Sequence, residues 1–123
     1  MRVAGAFTLL AGMLVGAGAA QAANPRLDTT ADLVGYCDRV GPVDEVRDGQ
    51  NFCDGFIAGT GLFYLELTRA KKIKRLACAD PVPTLEEVRE TFLRWATANP
   101  DHMQDKPIDG FWRAMAEAYP CPK

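Results

Sequence analysis

The 123 residues carry 14 basic and 16 acidic side chains and one histidine, a formal net charge of −2. A nucleic-acid reader usually presents a clearly basic face, and this balance gives no reason to expect one. The lone histidine also leaves little material for a clustered Cys/His metal site.

The chain begins as an export signal does. Arg2 supplies a positive start, Ala6 to Ala20 is an apolar run, and Ala20-Gln21-Ala22 fits the small-residue cleavage rule. The run is short of the ~20 residues a membrane span needs, and no stop-transfer pattern follows. Residues 1–22 therefore read as a signal peptide and 23–123 as one exported domain, with no stable membrane insertion after cleavage. The domain keeps 13 basic and 16 acidic residues. A chain of this size buries only about two thirds of its unfolded surface, so covalent ties would help it.

In chain order, Thr29 or Thr30 caps a short first helix, with Asp32 in its positive first turn. Leu33, Tyr36, Cys37 and Val40 recur at helical spacing until Gly41-Pro42 stops the run. The polar stretch Val43 to Gln50 suits an exposed connection. Asn51 to Thr68 follows as a central helix, apolar on most sides and hence expected in the middle of the domain. Gly55 and Gly59 stand one above the other on it. Each glycine costs about 1 kcal/mol of helix propensity against alanine, which points to close approach of another backbone there, or to a ligand using the gap.

Asp80-Pro81-Val82-Pro83 excludes helix, and Thr84-Leu85-Glu86-Glu87 is a capping box for the next one. Leu85, Val88, Phe92 and Trp95 share a face until Asn99-Pro100 closes that helix. Pro107 suits a first helical position, and Ile108, Phe111, Trp112, Met115 and Tyr119 form the last stripe, with Gly110 a minor blemish in it. No run alternates with period two. The expected fold is all-α, a small disulfide-stapled four-helix bundle.

All four cysteines, Cys37, Cys53, Cys78 and Cys121, follow the signal segment. An even count in a small exported chain reads as two disulfides. Sequence alone permits three connectivities. If consecutive helices run antiparallel, the end of the first meets the start of the second, and the start of the third meets the end of the fourth. That favours Cys37–Cys53 and Cys78–Cys121, closures worth roughly 3 and 4 kcal/mol in a chain-entropy treatment.

Catalytic chemistry has little to draw on. A cysteine held in a disulfide offers no thiolate to pair with His102, which reads as a solvated loop side chain. Glu86 and Glu87 point in different directions on a helix, and no phosphate-cradling glycine loop occurs. The expectation is a protein without catalytic residues, cofactor or metal. Lys71, Lys72, Lys74 and Arg75 read either as a solvated helix end or as a basic knob for an acidic partner or anionic surface.

Several segments together resemble the Rap/Tai family of type VI secretion amidase immunity proteins. They are Ala31-Asp32-Leu33 leading to Cys37, Cys53-Asp54-Gly55-Phe56-Ile57-Ala58-Gly59, Thr84-Leu85-Glu86-Glu87-Val88, and the closing Ala116-Glu117-Ala118-Tyr119-Pro120-Cys121-Pro122. Phe56, where the family tends to show tyrosine, and the displaced Pro81 depart from its pattern. The resemblance implies a periplasmic, often homodimeric helical bundle similar to the HdeA-type acid-stress chaperones. It implies a protein partner, a cell-wall amidase effector whose cleft is occluded. An HdeA-like chaperone, or an orphan binding module of the same fold, is the alternative function. The irregular connections Lys71 to Ala79 and Pro100 to Lys106 are the candidate contact surfaces, and Lys71, Lys72, Lys74, Arg75, Asp101, His102 and Gln104 are their partner-binding residues.

Overall fold

A computed structural model describes residues 26–123; the expected signal segment, 1–22, lies outside the described residues. The elements are α1 (Thr30–Cys37), α2 (Val43–Arg69), α3 (Leu85–Ala98), a 3-10 turn (Pro100–His102) and α4 (Pro107–Ala118). Among the described residues there is no strand. Cys37 is bonded to Cys53, and Cys78 to Cys121. The protein is an all-α bundle of four helices stapled by two disulfides, with the pairing that helix adjacency favours.

Thr29 is the cap of α1. Its hydroxyl accepts the Asp32 N–H at 3.2 Å, while the Asp32 carboxylate accepts the Thr29 N–H at 2.9 Å. Thr84 and Glu87 repeat this box at the start of α3. Thr30 does something else: it is fully buried. Its N–H donates to the Asp105 carbonyl at 2.8 Å, and the Ala31 N–H donates to that of Met103 at 3.0 Å. The Thr30 hydroxyl faces both the Asp105 and Lys106 carbonyls at 3.1 Å. Amides left without partners at a helix start are thus satisfied by the chain leading into α4.

This docking makes Gly110 a requirement. A methyl group at Gly110 would meet Thr30 Cγ2 at 2.5 Å and Cβ at 3.0 Å, well inside contact distance. Gly55 and Gly59, the glycines expected to admit a backbone, have nothing within 4 Å of such a methyl. The close crossing at Gly110 is between α1 and α4, and Gly55 and Gly59 of α2 admit no backbone.

The core draws on all four helices: Leu33 and Cys37, Cys53 and Ile57, Phe92, Trp95 and Ala96, and Phe111, Ala114 and Met115. Phe111 has Phe56 edge-on at 5.7 Å and Phe92 tilted at 6.1 Å. A side chain of this size contributes about 1.5–3 kcal/mol by leaving water. Arg89 ties α3 to α2 through Asp54 at 2.8 Å, a partly buried pair.

Three sequence expectations give way. Val43 to Gln50 is the start of α2, because Val46 donates to the Pro42 carbonyl at 3.0 Å, Asp44 and Glu45 suit the first turn, and buried Gly49 packs on Arg39 and Tyr36. Val40 lies beyond α1 and is exposed. Finally, α2 is not enclosed. At 27 residues it is about 40 Å long, whereas α3 and α4, at 14 and 12 residues, reach only about 20 Å. Its C-terminal half outruns its neighbours, leaving Leu62 66% and Phe63 67% exposed.

Two predictions follow from these contacts. Gly110→Ala gains helix propensity but overpacks Thr30, and should lower stability by about 1–2 kcal/mol, whereas Gly55→Ala should raise it by about 0.5–1 kcal/mol. Opposite shifts in urea midpoint are the expected result. The Asp32 carboxyl is held below the usual carboxylate range by the Thr29 backbone N–H first and the Thr29 hydroxyl second; Glu87 is held down in the same way by Thr84. Their stabilisation is complete above about pH 5 and is lost as pH falls through the lowered folded values. An Asp32→Asn/Glu87→Gln variant should therefore show a shallower acid decline in urea midpoint than the parent.

A candidate protein-contact face

The overhanging half of α2, the chain after it and the start of α4 enclose an apolar groove of about 350 Å³. Gly59 and Thr60 lie along it, Phe63, Tyr64 and Leu67 come from the same helix, Ile73 and Leu76 from the following segment, and Ile108 and Trp112 from α4. Gly59 is exposed where it lines the groove, and nothing lies within 4 Å of where its side chain would begin. Leu76, Ile108 and Trp112 continue into a shallower recess that adds Asp109 and Arg113.

Local geometry explains why the segment after α2 folds back over this groove. Helix α2 ends with Lys71 in a left-handed conformation, φ 54°. The Lys72 N–H donates to the Leu67 carbonyl at 2.9 Å and the Lys71 N–H to that of Thr68 at 3.0 Å. This is a Schellman ending with lysine where glycine is usual. Buried Tyr64 then anchors the returning chain. Its hydroxyl accepts the Leu76 N–H at 2.7 Å and the Ala77 N–H at 3.3 Å, and its ring lies 4.3 Å from that of Trp112. Cys78 is held further on by its disulfide and by donating its N–H to the Tyr119 carbonyl at 2.8 Å.

Lys71, Lys72, Lys74 and Arg75 are all exposed on this returning segment, interleaved with the groove residues Ile73 and Leu76. Among the described residues none of the four makes a salt bridge, whereas Arg69 pairs with Glu66 at 2.7 Å. They follow directly on the C-terminus of α2, in the segment that returns over the groove. Residues 62–76 hold five cations and one carboxylate, against eight cations and fifteen carboxylates in the rest of 26–123. Charge is sharply divided.

The other expected contact segment is placed differently. Asp101 and Gln104 are exposed, but neither they nor His102 line the groove. His102 is not a free loop side chain: it stacks on Trp95 at 5.7 Å, and its Nδ1 lies 2.7 Å from the Asp105 carboxylate. The carbonyls of Met103 and Asp105 are committed to α1. This segment is a structural joint. Sequence reasoning missed Phe63 and Ile108 as exposed residues, having assigned their stripes to the interior, whereas Trp112 is half-buried against the core as its stripe implies; the available signal was a helix apolar on more sides than three short neighbours can cover.

Among the described residues no group of three His, Cys, Asp or Glu side chains is placed to hold a metal, and no helix is long and apolar enough to cross a membrane. Tyr64→Phe removes the acceptor for Leu76 and Ala77 and should cost about 1 kcal/mol, with faster amide hydrogen exchange at those two residues as the direct readout.

A family profile described as Rap1a immunity proteins matches residues 29–121, from the cap of α1 to the last cysteine. No curated protein and no solved structure matches the chain. The profile covers every helix and both disulfides just described, and the family is one of inhibitors and not of enzymes. The chain belongs to the Rap1a immunity protein family.

Proposed function

We propose that this protein is an exported inhibitor that binds a peptidoglycan amidase effector of type VI secretion in the periplasm and blocks its active-site cleft. The family match over 29–121 carries this reading, since an immunity protein acts on a protein partner. Two disulfides suit an oxidising compartment outside the cytoplasm, in keeping with removal of residues 1–22 as a signal peptide. Inhibition of a hydrolase requires shape and a few buried anchors, not chemistry of the inhibitor's own. A scaffold tied at both ends meets that requirement with little ordering left to do on binding.

The test mixes the purified protein with a peptidoglycan amidase effector of the same cell's type VI secretion system and follows muropeptide release from isolated peptidoglycan. Release should stop near equimolar inhibitor, and the protein alone should release nothing. Undiminished release at tenfold excess would reject the reading.

A further inference from the structure

We infer that the groove over Gly59 and the cationic turn beside it form one recognition face, and that its occupant is an acidic protein segment presenting a bulky apolar side chain. The inference rests on the inhibitory reading above and names the face and the partner chemistry. Three observations carry it. Phe63, Ile73, Leu76 and Ile108 remain 67%, 37%, 46% and 42% exposed around a single depression. Clustered exposed apolar surface of this kind marks an interaction site. Four cations without salt-bridge partners among the described residues rim that depression, within a chain whose remaining charge is strongly acidic. Complementary potential of that sort selects partners and speeds encounter.

The third observation is the floor itself. Gly59 sits inside a helix, where it weakens the helix by about 1 kcal/mol relative to alanine, and no packing neighbour accounts for it. Gly55 and Gly61 are as open, but of the three only Gly59 lines the groove, where a side chain would take up part of the space. A groove suits an inserted side chain; a bilayer surface is broad and does not reach between helices. A second copy of this chain is disfavoured as occupant, because a self-pairing centred here would bring two sets of Lys71 to Arg75 together around the symmetry axis.

Two variants separate the elements of the face: Gly59→Leu, which fills the floor, and Lys72→Glu/Lys74→Glu/Arg75→Glu, which reverses the rim. Each is titrated with that amidase effector by calorimetry at about 50 and about 300 mM NaCl, since surface attraction is screened over this range. The unmodified protein should bind more weakly at the higher salt. The rim variant should lose about 100-fold or more in affinity and most of that salt dependence. The floor variant should lose at least about tenfold without a lower melting temperature, because leucine is the better helix former and meets no atom at Cβ. Both variants binding as tightly as the unmodified protein would overturn the inference while leaving the inhibitory function intact. An unmodified protein that does not bind the amidase removes both. Co-sedimentation with phosphatidylglycerol vesicles that the rim variant abolishes, alongside unaltered amidase binding, would overturn it in favour of a lipid surface.

Discussion

The bundle depends on the place where α1 lies against α4. Thr30 is fully buried, and its amide and hydroxyl are satisfied only by carbonyls from the segment entering α4. A buried polar group that loses such partners costs about 1–3 kcal/mol, so the two helices can approach in essentially one way. Gly110 is the complement to that approach, since any side chain there would enter the space Thr30 occupies. The contact joins residues eighty positions apart and brings the ends of the domain together. The Cys78–Cys121 bond then ties the chain after α4 to the connection before α3.

Once α1, α3 and α4 are packed in this way, the length of α2 becomes the feature with functional consequence. Its first half closes the core through Cys53 and Ile57. Its second half has no helix of matching length to lie against. A single returning segment covers it, held by the Tyr64 hydroxyl, the Tyr64–Trp112 ring contact and the Schellman turn at Lys71. The overhang is thus apolar, partly roofed and rimmed by lysines, on a scaffold that two disulfides keep from opening. Such a surface is already ordered, so a partner docking on it would lose little contact energy to ordering.

Much of this was legible from local pattern. The capping boxes at Thr29 and Thr84, the stripes of α3 and α4, the stop signals at Asn99-Pro100 and Pro120, and the even cysteine count all report interactions between residues three or four apart, or a simple parity. They were sufficient for an all-α fold with two disulfides; the pairing required the further premise that consecutive helices run antiparallel. Val43 to Gln50 defeated the same reasoning because a polar, glycine-bearing stretch can be a helix once Cys53 and buried Gly49 hold it against α1.

What the sequence by itself determined is therefore where helices start and stop, and which of their faces prefer to leave water. Only the tertiary structure decided whether a neighbour was there to receive each face. Gly55, Gly59 and Gly110 are alike in sequence, all glycines within helical patterns, yet one faces Thr30 and the other two face open space. Phe63 and Phe111 are likewise similar apolar positions, yet Phe111 is 2% exposed and Phe63 67%. Helical period is set by hydrogen bonds within one segment, whereas burial is set by the length and crossing of several. The groove arises from that second kind of information: it exists because α2 is longer than the helices that could have covered it.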